Sequence, residues 1–141
     1  MAGGTNNIDY DVLAFDSAVQ ERAYANIPMP ASWDGGVIQF RTLWTATTST
    51  GTFKLDLAGR SLADDDAIDQ AVGTYVGATD TLITAGDMHI SAWSGDVTIT
   101  GAGAGELIHL EMRRDVATDT LGADARLIAV QIRYKQAQYT D

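Results

Sequence analysis

Apolar and polar residues alternate along two segments in the last quarter of the chain, and this period of two constrains the fold most. In Glu106–Arg114 one row of side chains is largely apolar: Ile108, Leu110, Met112 and Arg114. The final segment repeats the pattern, with Ile128, Val130, Ile132 and Tyr134 in its apolar row. Such alternation is typical of β-strands with one buried face. The two segments are therefore predicted to pair as an antiparallel hairpin that closes a β-sandwich.

Further hairpins are predicted upstream. Val37–Thr47 has an inward row of Ile38, Phe40, Thr42, Trp44 and Ala46, and Thr52–Ala58 has one of Phe53, Leu55 and Leu57. The connection 48–51 is short enough for these strands to be hairpin partners. His89–Trp93 and Val97–Thr100 flank a Ser-Gly-Asp turn and are predicted to pair in the same way.

One short helix is predicted, over Ser61–Val72. Ser61 and Asp64 form an N-cap pair, Ile68 and Val72 lie four residues apart, and Gly73 follows as a stop signal.

The predicted helix begins with an acidic cluster, Asp64, Asp65, Asp66 and Asp69. Clustered carboxylates are ligands that calcium prefers, but the spacing does not fit an EF-hand loop. Acidic residues at a helix N-terminus are favoured by the helix dipole, and we prefer that interpretation. A bound cation stays an open alternative.

The whole pattern predicts an all-β protein, an antiparallel β-sandwich of jelly-roll type with about eight strands and one short helix. The remaining strands are predicted at Ile8–Phe15, Arg22–Met29 and Tyr75–Thr84, with Pro28 and Pro30 marking an edge or exit of a sheet. The expected organisation is an N-terminal arm at 1–7, a jelly-roll domain at 8–135 and a C-terminal tail at 136–141.

Composition narrows the classes of function. The 141 residues contain no cysteine, so disulfides, thiolate metal sites and thiol nucleophiles are not expected. The net charge of −10 and the scattered basic residues disfavour nucleic-acid binding. No segment is long and apolar enough to predict a membrane span, and the first residues lack the features of a secretory signal.

No catalytic centre, cofactor site or metal site is predicted. His89 and His109 lie on separate strands without a His-x-His pair, no Gly-x-Ser-x-Gly elbow is present, and the Gly-rich stretch 101–105 precedes a strand where a phosphate loop would precede a helix. We therefore expect a protein that is not an enzyme.

The mixed outer row of the predicted closing hairpin is the main candidate for binding. It comprises His109, Glu111, Arg113, Gln131 and Arg133. Charges of both signs on one strand face suit subunit contacts, because Arg–carboxylate pairs fix register and specificity. A solvated sheet face is the equally weighted alternative.

Two other sets of residues are candidates for contacts. Polar termini are usually disordered unless a partner holds them, so Thr5, Asn6 and Asn7 of the arm are predicted to contact a partner surface. Exposed aromatic rings can stack on sugars, and Trp33 and Tyr75 are the candidates for glycan contact. Packing of a loop is the alternative role for Trp33.

Several turn and strand motifs carry a resemblance to a known group of proteins. They are Trp33-Asp34-Gly35-Gly36, Leu43-Trp44-Thr45, Gly51-Thr52-Phe53-Lys54-Leu55, Gly105-Glu106-Leu107-Ile108, Arg114-Asp115, Asp119-Thr120-Leu121 and Ala123-Asp124-Ala125-Arg126-Leu127. Over about residues 30–135 the chain resembles small jelly-roll structural proteins of tailed bacteriophages.

The resemblance implies a virion component, most often a trimeric capsid decoration (cement) protein or a module of a head or tail fibre. It carries no catalytic residues, and it implies that Asp115 and Asp119 cap turns and that Trp44 is core. The expected partners are further copies of the chain, as a homotrimer, and the major capsid protein on the outer capsid surface, after assembly in the host cytoplasm. The alternative is a fibre module that recognises host surface glycans.

Overall fold

The computed structural model describes residues 10–48 and 50–137, which form two antiparallel β-sheets packed face to face. The strands are β1 Leu13–Phe15, β2 Arg22–Pro28, β3 Trp33–Thr45, β4 Thr52–Leu62, β5 Val76–Thr81, β6 His89–Ile90, β7 Ile99–Thr100, β8 Leu107–Arg114 and β9 Ala125–Gln136. Sheet I has the order β1-β9-β3-β6, and sheet II has the order β2-β8-β4-β5 with the short β7 parallel to β4. The predicted all-β sandwich is confirmed.

The alternating rows meet between the sheets and form the core. The predicted inward rows of β3, β4 and β8 are all buried, and Trp33, Val97 and Leu127 complete the core with them. Trp44 is fully buried, contacts the ring of Phe53 at a centroid distance of 5.0 Å, and donates from Nε1 to Asp80 Oδ2 at 2.9 Å. The core position expected for Trp44 is confirmed.

The three predicted hairpins are wrong. β3 and β4 lie in opposite sheets, as do β8 and β9, and as do β6 and β7. Each connection crosses from one sheet to the other, so the paired apolar rows face each other across the core. Alternation predicts which face of a strand is buried, but it is the same whether the next strand lies beside it or opposite it.

The predicted helix at Ser61–Val72 is also wrong, because the described residues contain no helix. β4 continues to Leu62, and the buried Ser61 hydroxyl donates to Glu106 Oε2 at 2.6 Å. The chain then turns, with Asp65 at a φ of 65°, and Ile68 is 86% exposed. The hydrogen bonds between β4 and β8 stabilise the start of this segment as a strand. A short helix would be less stable, because Ile68 would have no apolar partner.

A β-bulge shifts the predicted row of β9 at its start. Leu43 pairs with Ala129, whereas its neighbour Trp44 pairs with Leu127, so Ile128 is the extra residue. Leu127 is therefore buried, and the predicted inward row begins only at Val130. Bulges are not visible in a period-two pattern, which explains the error at Leu127 and Ile128.

The N-terminal part of the described chain contains the strands β1 and β2. β2 ends at Pro28 and is an edge strand of sheet II, as the prolines predicted. The first predicted strand is reduced to Leu13–Phe15 among the described residues. The arm at 1–7, including Thr5, Asn6 and Asn7, lies outside them.

Candidate interaction faces

The five residues predicted as one interface lie on two faces. His109, Glu111 and Arg113 belong to β8 and point away from the core on sheet II, while Gln131 and Arg133 do so on sheet I. The prediction of one continuous row is wrong, since it depended on the β8–β9 hairpin. We call the two surfaces the sheet II face and the sheet I face.

Cross-strand pairs between β2 and β8 build the sheet II face. Tyr24 lies opposite Glu111, and Asn26 lies opposite His109. The Tyr24 and His109 rings stack with centroids 5.6 Å apart and an interplanar angle of 18°. A hydrogen bond of 2.7 Å joins Nδ1 of His109 to Oδ1 of Asn26. Strand register therefore fixes the position of the imidazole against Tyr24 and Asn26.

Glu111 is the centre of a charged network on the same face. Its Oε1 accepts from the Tyr75 hydroxyl at 2.5 Å and lies 2.8 Å from Arg22 Nη1. The Arg113 guanidinium lies 3.7 Å from the centre of the Tyr75 ring, and its Nε lies 3.4 Å from Asp56 Oδ2. Burial raises the pKa of Tyr75, and the hydrogen bond to Glu111, the second largest cause, raises this pKa further. Tyr75, predicted to contact glycans, is thus held within the protein's own network.

The segment 63–72 forms one wall of a groove beside this network. Arg60 Nη1 donates to the carbonyl oxygen of Ala71 at 3.3 Å and ties the segment to the sheet. The groove has a volume of about 550 Å³ and is lined by Tyr24, Asn26, Leu62, Ile68, Asp69, Gln70, Val72, Leu107, His109 and Glu111. Tyr24 is 58% exposed and Ile68 is 86% exposed. Exposed apolar groups bordered by charges are typical of protein-binding surfaces.

The acidic cluster of the segment is exposed to solvent. Asp66 Oδ2 accepts from the backbone N–H of Ala63 at 2.9 Å, as a turn cap. Across residues 10–48 and 50–137, no three His, Asp or Glu side chains are arranged to hold a metal ion. The helix dipole that we expected to favour these acids is not there, because the helix is not formed.

Trp93 is the main feature of the sheet I face, and the sequence analysis did not single it out. The chain from Ser91 to Ser94 runs along the edge of β3, where the Ser91 and Ser94 hydroxyls accept from the backbone N–H groups of Thr42 and Phe40 at 2.9 and 3.0 Å. The two hydroxyls accept hydrogen bonds that carbonyl oxygens of a neighbouring strand would normally accept. Ala92 and Trp93, which lie between the two serines, therefore need not follow a regular strand. The polar Ser-Gly-Asp that follows Trp93 was the available signal that its ring is only half-buried.

Two arginines contact the Trp93 ring. The guanidinium carbons of Arg41 and Arg133 lie 4.6 and 4.4 Å from the ring centre. Arg41 Nε donates to Gln131 Oε1 and Arg133 Nε donates to Gln39 Oε1, both at 2.7 Å. The two predicted residues of this face therefore belong to an arginine–tryptophan patch.

Trp33, the other aromatic residue predicted to contact glycans, is fully buried. It starts β3 ahead of a register shift and packs in the core. Gly35 takes a positive φ of 72° just after it. The stretch Trp33–Gly36 has the sequence of a turn but belongs to β3, and its ring points inward, so a direct glycan contact through Trp33 is contradicted.

One end of the sandwich is closed by Arg114, whose role the sequence did not indicate. The side chain is fully buried and binds Asp119 through Nε and Nη2 at 2.7 and 3.0 Å. Asp119 Oδ1 also accepts from the backbone N–H of Leu121, and Asp115 Oδ2 accepts from the Thr118 hydroxyl. The turn-capping roles expected for Asp115 and Asp119 are confirmed.

Comparison with protein-family models, with curated proteins and with solved structures gives no match to this chain. In the part of the chain that the structure describes, no helix has the length and apolar character needed to cross a membrane.

Proposed function

We propose that this chain is a structural protein of a bacteriophage virion, a capsid decoration protein that binds the outer capsid surface as a trimer and stabilises the shell. The proposal combines the motif resemblance with the strand pairing and with two exposed faces that have the composition of interfaces. It assigns the chain a binding role and no catalytic step.

The nested strand pairing is the observation that carries this proposal. With the two-residue β7 set aside, the strands form antiparallel pairs from the outermost to the innermost: β1 with β9, β2 with β8, β3 with β6, and β4 with β5. Successive pairs alternate between sheet I and sheet II. A ribbon of nested pairs wrapped in this way supports a jelly roll, an architecture that viral capsid proteins use.

The sheet II face supports a subunit or capsid contact. Its exposed Tyr24 and Ile68 supply apolar area, and the half-exposed Arg22 supplies a positive charge at the border of the face. A lasting contact needs burial of roughly 1,600 Å² in total, which is more than this groove alone and implies participation of a second face.

Capsid binding tests the proposal. Purified protein is mixed with empty expanded capsids of a candidate tailed phage and sedimented. We expect binding that saturates at a fixed number of lattice sites, visible as added density in cryo-electron microscopy. Protein that stays in the supernatant with every expanded capsid tested would contradict a decoration role.

A matched pair of variants tests the sheet II face. Ile68 and Ile83 are both 86% exposed, but only Ile68 borders the groove. Ile68→Glu is expected to weaken capsid binding at least tenfold, because it places a charge in an apolar contact, while Ile83→Glu leaves the binding curve unchanged. Equal effects of the two variants would remove the groove from the interface.

The alternative function, a fibre module that binds host surface glycans, is favoured by one observation. The arginines that contact the Trp93 ring hydrogen-bond to Gln131 and Gln39, and Gln39 also donates to Asp96. An aromatic ring with amides and a carboxylate near it suits a sugar. If this function is correct, the protein attaches to host cells or lipopolysaccharide, and Trp93→Ala abolishes the attachment.

A further inference from the structure

Basic residues that are scattered in the sequence are gathered on the sheet I face. β9 contains no acidic residue, and β3 contains none after Asp34. Register places their basic residues on the outer row: Arg41 opposite Gln131, Arg133 opposite Gln39, and Arg126 opposite Thr45. Lys135 follows in the same row, since Tyr134 packs against the core. Four of the nine basic residues thus lie on one face of a protein whose net charge is −10.

The two arginines that contact Trp93 are fixed in position, and their terminal Nη groups stay available as donors. Each uses Nε for a glutamine oxygen and one face for the indole ring. The hydrogen bonds and ion pairs of the described residues do not engage the terminal Nη groups of Arg41 or Arg133. A planar guanidinium with free Nη groups binds carboxylates in a bidentate manner.

We propose that the sheet I face binds the acidic segment 63–69 of a second copy of this chain. This inference rests on the proposed self-association, and it names the two surfaces that meet when copies of the chain associate. The segment presents Asp64, Asp65, Asp66 and Asp69 as exposed carboxylates, with the exposed Ile68 among them. Arginines on an indole ring match both features, the carboxylates by charge and Ile68 by apolar contact.

The geometry makes this a contact between unlike surfaces. The acidic segment borders the groove on the outer side of sheet II, while Arg41 and Arg133 lie on the outer side of sheet I, across the sandwich. Each copy can therefore donate its acidic segment to one neighbour and its basic face to another. Such heterologous contacts produce a closed ring when the rotation between copies closes, as a trimer requires.

An acidic polymer such as nucleic acid is a less favourable occupant. The guanidinium groups could bind phosphates, but the rest of the chain carries an excess of negative charge that repels a long polyanion. The acidic segment of a second copy also presents the exposed Ile68, an apolar group that a phosphate backbone lacks.

Reciprocal charge reversal tests the contact. One variant carries Arg41→Glu and Arg133→Glu, and the other carries Asp64→Lys and Asp69→Lys, whose carboxylates make none of the hydrogen bonds described above. We expect each variant alone to fall to the 15.0 kDa mass of a single chain in light scattering, with the circular dichroism of the wild type. The four substitutions together in one chain are expected to restore assembly, because every contact of the ring is then charge-matched again.

Matched controls separate this contact from general charge effects. Arg41→Lys with Arg133→Lys keeps the charge, and Asp11→Lys with Asp87→Lys changes the net charge as the acidic-segment variant does. The Asp11 and Asp87 variant is expected to assemble like the wild type. The lysine variant is expected to assemble more weakly than the wild type but more strongly than the glutamate variant, because lysine keeps the charge and loses the bidentate geometry.

Other outcomes overturn the contact in distinguishable ways. Reversed variants that keep the wild-type mass, or a folded fourfold variant that fails to assemble, contradict the contact while leaving capsid binding intact. A single-stranded oligonucleotide that binds the wild type in physiological salt, but not Arg41→Glu with Arg133→Glu, assigns the face to nucleic acid. A failure to bind capsids contradicts the proposed function itself.

Discussion

At the residue scale, Arg114 joins three parts of the chain at one end of the sandwich. Besides Asp119, it donates from Nη1 to the carbonyl oxygens of Phe15 and Ala123 at 3.1 and 2.9 Å, and from Nη2 to that of Leu121 at 2.6 Å. The end of β1 and the β8–β9 connection are thus fixed to β8. The bonds to Phe15 and Leu121 are buried, so the carbonyl groups of these two residues depend on Arg114 for a hydrogen bond.

Replacing Arg114 is expected to be severe. Arg114→Met keeps much of the volume but leaves Asp119 charged and unpaired in the interior, so it should lower the free energy of unfolding by about 3–5 kcal/mol. Denaturant unfolding measures this change. Arg133→Met on the exposed sheet I face is the control and should cost less than about 1 kcal/mol. Similar losses for the two variants would mean that the buried network contributes little.

The pair Lys54–Asp115 gives stability a defined pH dependence. Nζ of Lys54 lies 2.8 Å from Asp115 Oδ2. The hydrogen bond to Lys54 holds the pKa of Asp115 below its ordinary value of 3.8, and the same bond raises the pKa of Lys54 above 10.5. The carboxylate therefore contributes stability above pH 3.8, which is lost as the pH falls through its lowered pKa, and the ammonium contributes below pH 10.5.

Asp115→Asn tests this window. We expect it to lower the free energy of unfolding by about 1 kcal/mol at neutral pH, since the pair is partly exposed. The difference from the wild type should shrink once the pH falls below 3.8. Asp87→Asn, at an exposed site, is the control and should change the free energy of unfolding at neutral pH by less than about 0.5 kcal/mol. A difference that stays constant down to acidic pH would contradict the assigned role of the charge.

At the element scale, the connections between the sheets are as specific as the strands. Gly51 enters β4 with a φ of 119°, and a Cβ there would lie 2.3 Å from the carbonyl oxygen of Thr120. The crossing after β3 and the connection after β8 therefore touch, backbone against backbone. Only glycine permits this approach.

A pair of glycine variants isolates that contact. Gly86 has a φ of 89° but open space around it, so Gly86→Ala should cost only the backbone strain of about 1 kcal/mol. Gly51→Ala adds a steric clash and should cost roughly 3 kcal/mol or more. Thermal unfolding of both variants measures the difference. Equal costs would show that the two connections are not packed together as described.

The strands and their buried faces could be predicted from the sequence, whereas their partners could not. Phe53, Leu55 and Leu57 are buried as their alternation predicted, since a period of two defines a face. The same alternation cannot distinguish a neighbour in the sheet from an opposite strand, which is why the hairpins failed. The acidic residues near Ser61 looked like a helix start because capping signals are local, while the competing β4–β8 ladder is not.

The candidate site was predicted in part. His109, Glu111, Arg113, Gln131 and Arg133 do lie on outer faces, as their parity indicated. Their division between two faces, and the position of Trp93 over the arginines, depend on long-range pairing that alternation does not encode.

At the scale of the whole molecule, an acidic chain presents one basic face. The contact proposed between that face and the segment 63–69 is electrostatic, so assembly should weaken as salt rises and the Debye length falls to about 3 Å near 1 M. Light scattering across a salt series measures this. A mass independent of salt would indicate an apolar interface and would contradict the basic face as its main component.

The mass of the purified wild-type chain in sedimentation equilibrium, measured over a wide range of concentrations at moderate salt, tests most directly whether copies of this protein bind one another. The proposed trimer predicts a species of three times 15.0 kDa that grows with concentration and then stays constant. A single species of 15.0 kDa at every concentration would contradict self-association through the two sheet faces.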